Sequence, residues 1–330
     1  MRVLITGGTG FIGSRLAEKC LARNDDVVVL GRQEATDAEA RNSEQLQSRG
    51  VELVLGSLID RDRMFEVTKG VDLVVHLAAA QHEMNIPDET FRAVNVEGTR
   101  NILDASISAG VQKFVHGSTI GVYKRDVVEV VDEDTAIMPD NIYGITKAEG
   151  EQLVRTYFDR LPCVIIRISE TYGPGDRRLL KLFTAISKQM FFMIGKGDNT
   201  HQLIYVDDLI DGILLAAQSE NAPGEHFVLA GKERLTSNEM VSAIARAVDV
   251  REREWHAPLW LFMLAATVME KTMRPMGLQP PLHRRRMDFF TKSFQISTTK
   301  AQEKLGFTTK TSFEEGARRT AHWYKEYGFL

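Results

Sequence analysis

Two hydrophobic rhythms alternate over the first half of the chain. Short apolar runs recur at Val3 to Ile5, Val27 to Leu30, Val51 to Leu55, Leu73 to Leu77, Phe114 to Val115 and Val164 to Ile166. They are continuous rather than alternating, the mark of strands buried on both faces in a parallel sheet. Between the first two, Ile12, Leu16 and Cys20 fall at i, i+4 and i+8, one apolar stripe of a helix; a similar stripe follows Asn95 in Ile102, Leu103, Ala105 and Ile107. Strand and helix in repeated turn predict right-handed βαβ crossovers and an α/β fold with a doubly wound parallel sheet. After about Tyr172 the rhythm breaks at Gly173-Pro174-Gly175 and again at Gly195-Lys196-Gly197-Asp198-Asn199. Leu203 to Val206 and His226 to Leu229 are strand-like and can rejoin the sheet, whereas 232–330 reads as helices with short connectors. The expected division is a sheet domain over 1–172 with 202–231, and a smaller, mostly helical domain over 173–201 with 232–330.

A length of 330 residues suits two domains. Forty-one Lys and Arg against forty-five Asp and Glu leave a net charge of −4, which speaks against a nucleic-acid binder. Cys20 and Cys163 stand far apart with no metal-ligand spacing near either, so no disulfide framework and no metal is expected, and a cytoplasmic location fits. The chain opens Met1-Arg2-Val3-Leu4-Ile5 and reaches Gly7 without the apolar run of an export signal. The longest apolar stretch, Pro258 to Met269, falls short of the roughly 20 residues of a membrane span and reads as a helix inside a folded domain.

Directly after the first strand comes Thr6-Gly7-Gly8-Thr9-Gly10-Phe11-Ile12-Gly13, a G-x-x-G-x-x-G loop that opens a helix. Glycines let the backbone approach a pyrophosphate, and the helix N-terminus offers it free N–H groups and a positive dipole end. Strand, glycine loop and helix in that order predict dinucleotide binding. At the end of the second strand, Val29-Leu30-Gly31-Arg32 has no carboxylate for a ribose 2′-hydroxyl, and Arg32 can pair with a 2′-phosphate, which favours NADP over NAD. In the other reading Arg32 is a solvent-facing charge and Glu34 reaches the ribose.

The strand ending Gly117-Ser118-Thr119 brings hydroxyls to its carboxyl end, where open α/β sheets bind ligands. Twenty-four residues beyond Thr119 stands Tyr143-Gly144-Ile145-Thr146-Lys147, and in a helix the i and i+4 side chains share a face. A phenol with a pKa near 10 is a poor base at pH 7, and lowering it by about three units costs about 4 kcal/mol. One ammonium about 4 Å away at an effective dielectric of about 20 supplies roughly that much. Tyr143 can then exchange a proton with a secondary alcohol while hydride moves, with Thr119 polarising the same oxygen.

These motifs resemble the extended short-chain dehydrogenases/reductases, the NAD-dependent epimerase/dehydratase family, and the resemblance runs along nearly the whole chain. Asp72-Leu73-Val74-Val75-His76-Leu77-Ala78-Ala79, Asn95-Val96-Glu97-Gly98-Thr99, Arg167 with Tyr172-Gly173-Pro174-Gly175, Tyr205-Val206-Asp207-Asp208 and Lys300-Ala301 with Leu305-Gly306 also match its pattern. The resemblance implies a Rossmann domain that binds NAD(P), a C-terminal substrate domain and often a homodimer, here through the helices carrying Asn95 to Ile107 and Tyr143. It makes Thr119, Tyr143 and Lys147 the catalytic triad with Ser118 as a neighbouring hydroxyl. It assigns Gly7, Gly10, Phe11, Ile12, Gly13, Arg32, Ser57, Leu58, Ala78 and Ala79, with Tyr143 and Lys147, to the cofactor.

Departures narrow the expected activity. Ser57 stands where many members carry an aspartate near adenine, and Ile120-Gly121 replaces the Asp-Glu pair of sugar-nucleotide dehydratases. Where sugar-nucleotide enzymes hold a diphosphate with asparagine and arginine, this chain has Glu170 and His201; glutamate repels a diphosphate and neutral histidine is the weaker partner. Arg284, Arg285 and Arg286 stand where such enzymes supply another phosphate-contacting arginine, the other reading being a solvated basic turn. The stretch Trp255 to Met276 can line an apolar substrate pocket, or be core or a subunit contact. His76, His82 and His116 read as structural. The leading expectation is a reversible oxidoreductase acting on a secondary alcohol or ketone of a small molecule, and the alternative is a nucleotide-sugar epimerase with retained NAD. A non-catalytic dinucleotide sensor has no need of the trio.

Overall fold

Each of the six apolar runs becomes a strand, and helices alternate with them in the computed structural model. The order is β1 (Arg2–Thr6), α1 (Phe11–Ala22), β2 (Asp26–Gly31), α2 (Asp37–Ser48), β3 (Glu52–Leu55), α3 (Arg61–Val67), β4 (Leu73–His76), α4 (Asp88–Arg92), α5 (Gly98–Ala109), β5 (Lys113–Thr119), α6 (Ile142–Arg155) and β6 (Cys163–Ile168). The second half adds β7 (Thr171–Tyr172), α7 (Leu180–Ser187), β8 (Met193–Ile194), β9 (Thr200–His201), β10 (Ile204–Tyr205), α8 (Val206–Gln218), β11 (His226–Leu229), β12 (Leu235–Thr236) and α9 (Ser237–Ala247). It ends with β13 (His256–Ala257), α10 (Leu259–Met273), α11 (Arg284–Thr291), α12 (Thr299–Leu305) and α13 (Phe313–Glu326). The structure describes residues 1–33, 35–81, 87–123, 130–252, 255–273, 284–293 and 295–330. Glu34, His82 and Met276 lie outside the described residues, as do the side chains of Arg284, Arg285 and Arg286.

Seven strands form one parallel sheet in the order β11-β6-β5-β4-β1-β2-β3, the expected Rossmann-type doubly wound arrangement. His226 to Leu229 rejoins the sheet beside β6, with His226 opposite Ile165. Leu203 to Val206 does not: Ile204 and Tyr205 pair with Thr171 and Tyr172 in a separate ladder, and Val206 already opens α8, which leaves too short a strand to join the sheet. The region after 232 also holds two short strands, β12 and β13, that the sequence leaves as connectors.

Successive side chains of a strand point to opposite faces, and the continuous apolar runs fill both. Val3, Ile5, Val27, Val29 and Val75 pack with Leu16, Ala17 and Cys20 of α1 and with Leu209, Ile210 and Ile213 of α8. Leu4, Val28, Leu30, Val74 and Phe114 pack on the other side with Met64, Ile102, Leu103 and Val154. A third core gathers Tyr172, Phe183, Leu203, Tyr205, Ile244, Phe313 and Tyr324, while Ala301, Leu305 and Phe307 pack with the first.

The apolar stretch expected inside a domain forms α10, but that helix buries only Ala266. Its apolar residues occupy both sides of the helix, so burying one side leaves Trp260, Leu261, Leu264 and Val268 outward. Among the described residues no helix is long and apolar enough to cross a membrane.

Candidate active site

The glycine loop leaves β1 and is shaped for close approach. Gly7 has φ +69°, and a Cβ there would stand 2.8 Å from the Ala78 nitrogen. A Cβ on Gly13 would stand 2.3 Å from the Gly7 carbonyl oxygen, so both positions exclude any side chain. Gly10 caps α1 without a side-chain hydrogen bond, and the first turn holds no acidic residue, which leaves its N–H groups and dipole open to an anion. This cradle fits a dinucleotide pyrophosphate. Phe11 and Ile12 are half-buried beside it, and Phe11 lies where a Cβ on Gly175 would touch its ring at 3.2 Å. Asn42 on α2 donates to the Thr9 carbonyl at 2.8 Å and ties the loop to that helix. At the far side, Ala78 donates its N–H to Thr6 Oγ1 at 3.2 Å, Ala79 follows half-buried, Ser57 is exposed and Leu58 is buried.

Arg32 follows β2 immediately and is not alone. Its Nη2 and Nε approach Glu39 Oε2 at 3.0 and 3.3 Å. The same carboxylate accepts the Thr36 N–H and hydroxyl, each at 2.8 Å, as the capping box of α2.

Helix α6 carries the candidate catalytic pair, Tyr143 and Lys147. Asn141 caps it by accepting the Gly144 N–H at 3.1 Å. A Cβ on Gly144 would stand 2.4 Å from the Gly121 carbonyl oxygen, so the first turn of α6 lies directly on the turn that follows β5. That contact brings Tyr143 to Thr119, and the two side chains hydrogen-bond. Thr119 Oγ1 also accepts the Gly121 N–H at 3.0 Å. Lys147 is buried and donates to the Gly117 carbonyl at 2.6 Å.

Burial pushes the Tyr143 phenol up to about 12, against the downward pull of Thr119. The lowering expected from Lys147 is therefore absent, because its ammonium is directed at the Gly117 carbonyl. Burial brings Lys147 down to about 8 while the Glu151 carboxylate holds it up.

Beneath these groups lies a network that sequence patterns alone leave hidden. Ser118 donates to Glu151 Oε1 at 2.6 Å, and Arg167 grips both Glu151 oxygens, with Nη2 to Oε2 at 2.8 Å. Arg167 Nη1 donates to the Tyr123 hydroxyl at 2.7 Å, and that hydroxyl donates to the Asp132 carbonyl. Glu151 continues the i, i+4 spacing of Tyr143 and Lys147, the one signal that could have found it. His76 sits between Thr6 Oγ1 and Thr99 Oγ1, at 2.7 and 3.0 Å. His116 is fully buried, and neither ring nitrogen has a hydrogen-bond partner among the described residues.

Thr119, Tyr143 and Lys147 thus come together, while Ser118 turns its hydroxyl into the Glu151 carboxylate. Glu170 is exposed, with Oε1 3.8 Å from Arg178 Nη1, an arginine that the sequence motifs leave out. His201 is buried, with Nε2 2.9 Å from Ser237 Oγ, and its ring stacks on Phe289 at 4.8 Å. Burial holds that imidazole below its ordinary range. Among the described residues no three His, Cys, Asp or Glu side chains come together to hold a metal.

The chain is similar along 96% of its length to a 3beta-hydroxysteroid-dehydrogenase/decarboxylase isoform of Arabidopsis thaliana, at 27% identity, and spans 61% of that relative. It is 26% identical to an N-acetyl-alpha-D-glucosaminyl-diphospho-ditrans,octacis-undecaprenol 4-epimerase of Escherichia coli O157:H7, over 97% of this chain and 94% of the other. Among solved structures, a dTDP-glucose 4,6-dehydratase from Streptomyces venezuelae with NAD bound superposes with a TM-score of 0.79 at 26% identity, covering 99% of this chain and 97% of that one. The model of the NAD dependent epimerase/dehydratase family matches residues 3–230, more than two thirds of the chain and, but for Arg2, all of its parallel sheet. With the glycine cradle and the Tyr143, Lys147 and Thr119 cluster standing within that match, the chain belongs to the NAD dependent epimerase/dehydratase family.

Proposed function

We propose that the chain is an NAD(P)-dependent oxidoreductase interconverting a secondary alcohol and a ketone on a small molecule, with Tyr143 as the acid and base. The observation that carries this reading is the hydrogen bond between Tyr143 and Thr119 at the carboxyl end of β5. A bound nicotinamide would accept or return the hydride. Tyr143 would take the proton from the alcohol oxygen, or give it to the ketone, and Thr119 would orient that oxygen. Lys147 is fixed on Gly117 and would favour the ionised phenol only once its ammonium turns toward Tyr143. Gly7, Gly10, Phe11, Ile12 and Gly13 would hold the pyrophosphate, Ser57 and Leu58 the adenine, and Ala78 and Ala79 the span between. Tyr143 and Lys147 would serve at the reactive end, and Arg32 favours NADP. Residues 173–201 and 232–330 would form the substrate domain, with Ser118, Glu170, His201, Arg285 and Arg286 as its candidate contacts. The protein is proposed to act as a cytoplasmic homodimer through α5 and α6.

A nucleotide-sugar epimerase with retained NAD is the second reading, favoured by Arg178. Its guanidinium beside Glu170 supplies a cation where the glutamate alone would repel a diphosphate.

Denaturing freshly purified protein and assaying the supernatant for dinucleotide separates the two. Stoichiometric NAD(H) would support the epimerase; an empty protein that titrates more tightly with NADPH than with NADH would support the reductase. Tyr143→Phe is expected to keep dinucleotide affinity while turnover falls about 10²- to 10⁴-fold, the range of a positioned acid or base. Near-normal turnover in that variant would remove Tyr143 from its role.

A further inference from the structure

Helix α10 is apolar on both sides, and among the described residues one side is left without cover. At about 100° per residue, Phe262, Ala266, Met269 and Met273 share the inward side, where Phe262 meets Phe192 at 5.8 Å between ring centroids. The outward side carries Trp260, Leu261, Leu264 and Val268, with Trp260 68% exposed. Trp255 and Met190, 75% and 71% exposed, extend the patch. The Trp255 carbonyl accepts the Met193 N–H, joining the two segments where β8 pairs with β13. Large apolar side chains gathered this way, rather than scattered singly, mark a contact surface.

The charge around the patch is predominantly basic: in sequence, residues 251–292 carry eight lysines and arginines against four carboxylates. Lys271 lies on the outward side of α10 near Val268, and that side carries no carboxylate. Exposed Lys188 stands two residues before Met190, Arg251 four before Trp255, and Lys196 follows Gly195, whose Cβ position lies 3.6 Å from Leu259. Of the nearby acids, Glu252 accepts the Ser242 hydroxyl at 2.6 Å. In sequence, residues 274–286 add four arginines and no carboxylate. A second copy of the chain would set this cationic rim against its own like, whereas an anionic lipid surface complements it.

We propose that the outward side of α10, with Trp255 and Met190, docks on an anionic lipid surface as an interfacial helix. Tryptophans suit the boundary between headgroups and acyl chains, the leucines and Val268 enter it, and the lysines and arginine meet the phosphates. The chain is then peripheral, lying on the membrane without crossing it. Helix α11, which packs on α10, carries the Phe289 that stacks on His201, so the docking face lies one helix away from that candidate substrate contact.

Sedimentation of the full chain with phosphatidylcholine vesicles, with and without phosphatidylglycerol, tests this. The wild type is expected to bind only the anionic vesicles, to shift its tryptophan emission to the blue on binding, and to dissociate as salt rises. Trp260→Ser with Leu264→Ser is expected to weaken binding by at least about tenfold while NAD(P)H titration stays unchanged. Should that double variant fail to fold, Lys271→Gln decides the matter through a smaller loss that high salt erases. No binding to anionic vesicles, equal binding to both kinds, or an unaltered folded double variant would each overturn the proposal. So would a wild-type oligomer in lipid-free buffer that the double variant turns into monomers, since a second copy would then be the cover.

Discussion

At the scale of single residues, Arg32 and Glu39 act as one unit. A 2′-phosphate reaching Arg32 meets a guanidinium already bonded to a carboxylate, so the proposed preference for NADP depends on how readily Glu39 yields. Glu39→Gln retains the capping box of α2 and removes the opposing charge. It is expected to raise NADPH affinity about tenfold, roughly 1.4 kcal/mol, with little change for NADH. Arg32→Ala is expected to weaken NADPH far more than NADH. Fluorescence titration of both cofactors checks the pair, and equal effects on NADPH and NADH would detach these residues from discrimination. His116 is the other isolated case, a fully buried imidazole whose nitrogens have no partner among the described residues, in a place that suits a hydrocarbon better.

At the scale of elements, α6 is a ruler. Its i, i+4, i+8 residues, Tyr143, Lys147 and Glu151, span the depth from the cleft to the buried Arg167 pair. The first two were legible because Y-x-x-x-K lies within one helix, as the glycine loop lies within one turn. Glu151 was not, because its partners Ser118 and Arg167 come from β5 and β6 and nothing local in sequence records that meeting. The same holds for the outward side of α10: a helix apolar on both faces has no period that reveals which face is covered. Glu151→Ala would leave Arg167 charged and buried without its counter-ion, at a cost of about 3–5 kcal/mol. Chemical denaturation checks this, and a loss below about 1 kcal/mol would mean that the pair behaves as if exposed.

Taken over the whole molecule, the sheet holds two neutral histidines side by side on β4 and β5, with ring centroids 5.4 Å apart. Burial lowers His76 to about 3 and holds His116 well below its ordinary value, with Lys147 adding to both shifts. The unfolded chain takes up these protons near pH 6.5 and the folded chain does not, so stability is lost as pH falls from 6.5 toward 3. The slope is about 1.4 kcal/mol per pH unit for each histidine. His116→Leu is expected to reduce this acid slope by about that amount and to raise stability at pH 7.5 by about 1–3 kcal/mol. Denaturation midpoints at pH 7.5, 6 and 5 test it; an unchanged slope would show that His116 contributes nothing to acid lability.

The strand order has a consequence for synthesis on the ribosome. In the sheet β11-β6-β5-β4-β1-β2-β3, every strand after the first pairs with one that precedes it in the chain. The sheet can therefore grow outward from its centre in the order of translation, each new strand adding to an edge that already exists, with β11 closing the series at residue 229. A chain reordered so that β1 emerged last would have to leave a slot in the middle of two half-sheets, four exposed edges in place of two, and would be open to association with its neighbours until the end.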